Sequence, residues 1–184
     1  MVAYRYNSDS DKLIRIDVKF ALTIALFYHL DIKNKEFDIG ALIKAIHLLP
    51  ELDTLKIHSL SLNQTNVLNF EEFNILYSTN DTCKITKVYF EKMNDIEEFY
   101  ILLTVCPYMK YFKVDNINHM DIESVLRFII QKINYDCNNY IQLLCFRIVT
   151  PDNEIIEKLN RMIHIEKLLL TYKIKHLAEN IYLE

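Results

Sequence analysis

Residues 48–57 read LLPELDTLKI and residues 105–114 read VCPYMKYFKV. Almost no identities link them, yet each places apolar side chains two, five and seven residues after a proline. These are Leu52, Leu55 and Ile57 in the first stretch and Met109, Phe112 and Val114 in the second. The same apolar spacing of 0, +3 and +5 recurs in Ile85-Val88-Phe90, Ile141-Leu144-Phe146 and Ile165-Leu168-Leu170. The five triplets begin at 52, 85, 109, 141 and 165, at intervals of 33, 24, 32 and 24 residues. Side chains on extended chain alternate between faces, so this spacing predicts strands near 52–57, 85–90, 109–114, 141–148 and 165–170, each with one buried face.

Between the triplets, apolar residues recur every three or four positions, the mark of a helix with a single buried stripe. Ile39, Leu42, Ile43, Ile46 and Leu49 precede the first triplet, and Ile96, Phe99, Leu103 and Cys106 the third. Ile122, Val125, Leu126, Ile129 and Ile133 precede the fourth, and Ile155, Leu159 and Met162 the fifth. The segment FEEFNILY at 70–77, entered through Asn69, supplies the helix before the second. Start signals are Asn94 with Glu97 in the manner of a capping box, Asp121 before Ile122, and Thr150 before Pro151. Pro50 and Pro107 fall where helix must give way to extended chain. The unit is therefore helix, corner, strand. Strands joined through helices pair in parallel, and a unit too small to bury its own stripe does so by stacking on its neighbours.

This pattern resembles the leucine-rich repeat, whose core is L-x-x-L-x-L followed by an Asn or Cys position and another apolar residue. The resemblance covers about 39–184 as about five repeats, with 1–38 a degenerate N-terminal coil or cap of a single repeat domain, 1–184. It implies an α/β fold: an irregular, ribonuclease-inhibitor-like solenoid with a parallel sheet on the concave side and helices on the convex side. The Asn or Cys position is occupied here by Leu60, Met93, Ile117, Val149 and Lys173, so a continuous Asn ladder is absent. Two intervals also exceed the roughly 20–29 residues of the standard repeat. More closely, LLPELDTLKI, VCPYMKYFKV, LLCFRI and EKLLLTYKI look like the repeat half of F-box/leucine-rich-repeat proteins of the kind expanded in invertebrates. In that family a short helical F-box docks a ubiquitin-ligase scaffold and the repeats select the substrate. LPEL at 49–52 superficially resembles an F-box opening, but Pro107 in the same relation to its own triplet assigns it to a repeat corner, and no separate F-box is evident. The resemblance implies a ubiquitin-ligase adaptor that binds a protein partner on its concave face and meets the scaffold through a missing F-box.

Composition narrows the chemistry. The 184 residues, 51% of them hydrophobic, suffice for a sizeable core, and a net charge of -4 from 21 basic and 25 acidic side chains argues against a phosphate-gripping surface. Gly40 is the only glycine, which excludes phosphate-cradling loops and the G-x-S-x-G nucleophile elbow and disfavours tight two-residue hairpins. FALTIALF at 20–27 and FYILLTVC at 99–106 fall short of the roughly 18 residues a membrane span needs, and MVAYRYNSDSDK lacks the form of a secretory leader. The expectation is a soluble cytoplasmic or nuclear protein without a cofactor. Cys83, Cys106, Cys137 and Cys145 form no C-x-x-C, so reduced, mostly buried thiols are expected and no metal site. His47 and His58 belong to no ligand or catalytic motif, and Glu71-Glu72 and Glu97-Glu98 sit at helix starts, opposite the positive helix end. No catalytic residue stands out, and the chain is not expected to be an enzyme.

If 0, +3 and +5 face the core, then +2, +4 and +6 face the concave side. The +2 column reads Thr54, Lys87, Tyr111, Leu143 and Lys167; the +4 column Lys56, Tyr89, Lys113, Cys145 and Leu169; the +6 column His58, Glu91, Asp115, Arg147 and Thr171. Tyrosine and arginine are enriched at interface hot spots. The candidate partner-binding residues are Lys56, Lys87, Tyr89, Tyr111, Lys113, Leu143, Cys145 and Arg147. Two alternatives use the same columns: an unrecognised enzyme built on His58 and Cys145, and a nucleic-acid-binding repeat whose lysines meet phosphates and whose tyrosines stack on bases.

Overall fold

The computed structural model describes residues 27–62, 68–136, 140–148, 153–166, 168 and 172–184. They form a mixed α/β fold with a mostly parallel seven-stranded sheet and five helices. In chain order the elements are β1 (His29–Ile32), β2 (Phe37–Asp38), α1 (Ile39–Leu48), β3 (Thr54–Ile57), β4 (Leu60–Ser61), α2 (Phe70–Asn80) and β5 (Lys87–Phe90). There follow α3 (Ile96–Val105), β6 (Tyr111–Val114), α4 (Ile122–Tyr135), β7 (Leu143–Arg147), α5 (Asn153–Ile165), β8 (Ile174–Leu177) and β9 (Asn180–Leu183). The sheet order is β1-β3-β5-β6-β7-β9-β8. The first five of these strands are parallel neighbours, each joined to the next through a helix; β9 pairs antiparallel with both β7 and β8.

The triplets decide the register. Leu55, Val88, Phe112 and Leu144 lie side by side across four strands, as do Ile57, Phe90, Val114 and Phe146. All eight are buried in one core with the helix stripes, among them Leu42, Ile43, Phe99, Leu102, Val125 and Ile129. Phe99 of α3 packs on Phe112 of β6 with ring centroids 5.0 Å apart. Each such fully buried aromatic contributes roughly 1.5–3 kcal/mol by leaving water. Pro50 and Pro107 sit in the turns that follow α1 and α3.

Local signals start the helices. The Asn69 side chain accepts from the Glu72 N–H at 2.9 Å while Glu72 reaches back to the Asn69 N–H at 3.2 Å, a reciprocal cap on α2. Asp121 accepts from the Ser124 N–H at 2.9 Å to open α4. At α3 the cap falls one residue later than the sequence predicts: Asp95, not Asn94, is the capping side chain, and its partner is Glu98, not Glu97. Glu98 is buried because only the next turn position aims its carboxylate back at the Asn94 and Asp95 N–H groups, at 2.7 and 3.5 Å. Thr150 and Pro151 lie outside the described residues. Gly40 has a packing role: a Cβ there would collide with the Glu72 carboxylate, so its absence lets the first turns of α1 and α2 meet.

Three of the five positions where a leucine-rich repeat carries Asn or Cys are filled by apolar side chains facing inward; Lys173 is exposed and Val149 lies outside the described residues. Leu60 and Met93 are buried and Ile117 packs against the core. Backbone bridges link these corners: β2 pairs with β4 in parallel, and Met93 bridges Ile117 in parallel. The corner polar groups are thus bonded chain to chain, and the interior needs no amide side chain to satisfy them.

Two expectations fail at the C-terminal end. Ile165, the expected start of a fifth strand over 165–170, is instead the last residue of α5 and is 68% exposed. The stripe of Leu159, Met162 and Ile163 keeps the helix going to that point. Leu168 is buried, while 167, 169 and 170 lie outside the described residues. The next strands are instead a hairpin, β8–β9, closed by the two residues Ala178 and Glu179. Scarce glycine does not prevent this tight turn, because Ala178 itself adopts the left-handed conformation, with φ 53°. Residues 1–26 of the expected N-terminal coil lie outside the described residues; from the rest of it, β1 pairs in parallel with β3.

Candidate interaction face and its cleft

The described helices pack on one face of the sheet, and alternation turns the other set of strand side chains to the second face. One row across it reads Asp31, Lys56, Tyr89, Lys113, Cys145, Tyr182 and Lys175, each residue paired in register with the next. A second reads His29, Thr54, Lys87, Tyr111 and Leu143. Beyond the strand ends follow His58, Glu91 and Asp115, with Arg147 closing β7. The structure therefore brings all eight candidate residues onto one face.

The charges on this face are already matched. Lys56 Nζ lies 2.8 Å from Glu91 and 4.0 Å from Asp31, and His58 Nδ1 donates to the other Glu91 oxygen at 2.8 Å. Lys87 meets Asp53 at 3.3 Å, Lys113 meets Asp115 at 2.8 Å, and Arg147 meets Glu179 at 2.6 Å. The Lys56 ammonium, and after it the His58 imidazole, hold the Glu91 carboxyl below its usual range. The same bond to Glu91 raises Lys56. Such partly exposed pairs are worth about 0–1 kcal/mol each, so they set geometry more than stability.

Between the charges stands an aromatic pair. Tyr89 and Tyr111 are half-buried neighbours with ring centroids 5.3 Å apart, tilted at 54°. A cleft of about 630 Å³ opens at the carboxyl ends of β3, β5, β6 and β7. Its polar rim is His58, Glu91, Asp115 and Arg147, and Ile117, Met120, Ile122 and Ile148 give it apolar walls. A concave, partly apolar site with a few converging polar groups is where α/β sheets ordinarily receive ligands.

Cys145 is the exception among the candidates. It faces the same side as Lys113 but is 0% exposed, because β9 adds a strand beside β7 and brings Tyr182 and Asn180 over it. The Cys145 thiol donates to Asn180 Oδ1 at 3.8 Å, with Tyr111 and Tyr182 as neighbouring hydroxyl donors that favour the thiolate. Burial pushes the thiol up from its ordinary value in spite of these donors, which opposes a nucleophilic role. The outward, accessible Cys145 expected from alternation is thus corrected: alternation fixes the face and says nothing of what lies on it. His58 and Cys145 head different environments, one on the cleft rim and one beneath the hairpin. His47 ties helices together, its Nδ1 3.0 Å from the Thr79 hydroxyl.

The residues that sequence reasoning missed are Glu179, Asn180 and Tyr182 of the hairpin, the charge partners Asp31 and Asp53, and Met120 and Ile148 of the cleft wall. The alternation of Ile181 and Leu183, both buried, with Tyr182 between them is the signal that could have found β9. Among the described residues no group of three or more His, Cys, Asp or Glu side chains is placed to hold a metal ion, and no helix is long and apolar enough to cross a membrane. No family model, curated protein or solved structure matches this chain.

Proposed function

We propose that this chain is an irregular leucine-rich-repeat-like solenoid whose second sheet face, opposite the described helices, captures a protein partner, as the substrate-selecting part of an F-box-type ubiquitin-ligase adaptor. What supports the repeat reading is the run of parallel strands that are neighbours in both sequence and sheet, accompanied by the second line of corner bridges at Phe37 and Leu60 and at Met93 and Ile117. The ligase connection rests on the resemblance of the triplets alone. The observation that carries the binding reading is the Tyr89–Tyr111 pair, set between matched charges on strands β5 and β6, whose carboxyl ends open into the cleft. Rigid aromatic side chains ringed by satisfied polar groups form interface hot spots, because they offer large area at small entropic cost.

The test is affinity capture followed by mass spectrometry. Wild-type chain is compared with a chain bearing Tyr89→Ala, Tyr111→Phe and Arg147→Ala, in which the ring retained at position 111 keeps cover over Cys145. The partner set should be lost from the variant while its thermal midpoint stays within a few degrees of wild type. Unchanged capture would remove this face from consideration. Absence of ubiquitin-ligase scaffold subunits from the complexes of a longer form bearing an F-box would remove the adaptor role and leave the face itself standing.

A further inference from the structure

Two thiols that the sheet face does not use lie together at the other side of the core. Cys83 follows α2, and Cys106 caps the end of α3. The Cys83 thiol donates to the carbonyl oxygen of Val105, the residue before Cys106, at 3.7 Å, which sets the two cysteines side by side. Both backbones are pinned: the Cys83 N–H donates to Thr79 O at 2.8 Å, and the Cys106 N–H donates to Leu102 O at 2.8 Å. In its unit Cys83 takes the place, two residues before the triplet, that Pro50 and Pro107 hold in theirs. Asp81, Thr82 and Lys84 around it are exposed, and Cys83 itself keeps 7% exposure.

The pairing divides the labour between the sulfurs. Interaction with Cys106, which outweighs the effect of burial, holds the Cys83 thiol down to about 7, which favours it as the attacking sulfur of the two. Cys106, in turn, is pushed well above its usual value by Cys83 and by burial. Cys145 provides the contrast, a buried thiol surrounded by hydroxyls and an amide. The position of the pair in the helix layer matters as well. Helix α1 packs on α2, α3 on α4 and α4 on α5, whereas α2 and α3 approach each other least closely. The two thiols span that loosest joint.

We propose that Cys83 and Cys106 are an oxidisable dithiol, converted by a low-molecular-weight disulfide such as glutathione disulfide into an intramolecular disulfide that ties the end of α2 to the end of α3. The Cys83 thiolate attacks one sulfur of glutathione disulfide, whose S–S bond breaks and releases one glutathione thiolate. The Cys106 thiol then loses its proton to the medium and attacks the Cys83 sulfur of the mixed disulfide, expelling the second glutathione. Two protein thiols are oxidised to one disulfide, and one glutathione disulfide is reduced to two glutathiones.

The experiment equilibrates the full chain with graded mixtures of glutathione and glutathione disulfide. Samples are quenched in acid, alkylated in denaturant and mapped by mass spectrometry after cleavage at lysine, where Lys84 and Lys92 separate the two cysteines into different peptides. The expected result is a peptide pair joined through Cys83 and Cys106, with both residues losing alkylation in equal measure and regaining it in dithiothreitol, while Cys145 remains alkylated. In Cys106→Ser the reaction should stop at a glutathione adduct on Cys83. Three wild-type outcomes would each overturn the proposal, whatever the folding of the variant: a persistent adduct on Cys83, linkage of Cys83 to another cysteine, or full alkylation of both residues in glutathione disulfide alone.

Discussion

Met93 stands where a leucine-rich repeat would carry its ladder amide, and replacing it with Asn tests why this fold does without one. The side chain is 0% exposed, its N–H donates to Asn116 O at 2.8 Å, and its carbonyl accepts from the Asn118 N–H at 2.8 Å. Met93→Asn forfeits burial worth about 1.5–3 kcal/mol. It also brings an amide into a corner whose backbone groups already satisfy each other, at a further cost of about 1–3 kcal/mol. The expected loss is therefore about 3–5 kcal/mol. With a urea slope of about 2–3 kcal/mol per molar for a chain of this size, the unfolding midpoint should fall by roughly 1–2 M. Met93→Leu, close in volume and apolar, should cost less than about 1.5 kcal/mol. Equilibrium urea unfolding followed by circular dichroism reads both variants. A Met93→Asn protein as stable as the wild type would refute the reasoning, because the amide would then have found open partners at this corner.

Glu98 should give a pH signature. Burial raises its carboxyl above the ordinary range despite the N–H groups of Asn94 and Asp95, so its contribution to stability is fullest below about pH 4.5 and is lost as pH rises through the folded-state value. Urea midpoints at pH 4, 5.5 and 7 should shift steadily in favour of Glu98→Gln relative to wild type, and a flat difference would contradict this assignment. Phe112→Ala, fully buried against Phe99, should cost about 3–5 kcal/mol in the same unfolding assay, whereas Phe128→Ala, at a side chain 47% exposed, should cost less than about 1 kcal/mol. Ala178→Gly relieves a left-handed backbone at the hairpin turn and should raise stability by up to about 1 kcal/mol, where a loss would mean the turn gains more from its methyl group than it pays in strain.

The sheet was legible because its cause is local and periodic. Leu55 with Ile57, Val88 with Phe90, Phe112 with Val114 and Leu144 with Phe146 each reach the same core from the same offset, so one spacing rule locates four parallel strands and their register. Helix starts were legible to within a residue, since a cap is a short-range bond; at α3 two adjacent candidates, Asn94 and Asp95, competed, and burial of Glu98 decided between them. The C-terminal end was illegible for a different reason. Ile165 stands at triplet spacing from Leu168, yet it is the last residue of α5, and nothing in a triplet rule distinguishes a helix end from the start of a strand. The candidate site suffered at the same place: Cys145 lies on the face that alternation assigned, yet what covers it comes from residues 180 and 182, a pairing between distant parts of the chain that no period records.

The matching of cation to anion across the sheet face has a kinetic consequence. Where Lys56, Lys87, Lys113 and Arg147 each hold an opposite charge within 4 Å, the field of one cancels that of its neighbour over a distance shorter than the roughly 8 Å over which salt water screens charge. An approaching molecule meets an electrically quiet surface and gains no guidance until it touches. Encounter then proceeds at the pace of unaided diffusion and docking, about 10⁵–10⁶ per molar per second, and added salt leaves that pace nearly untouched.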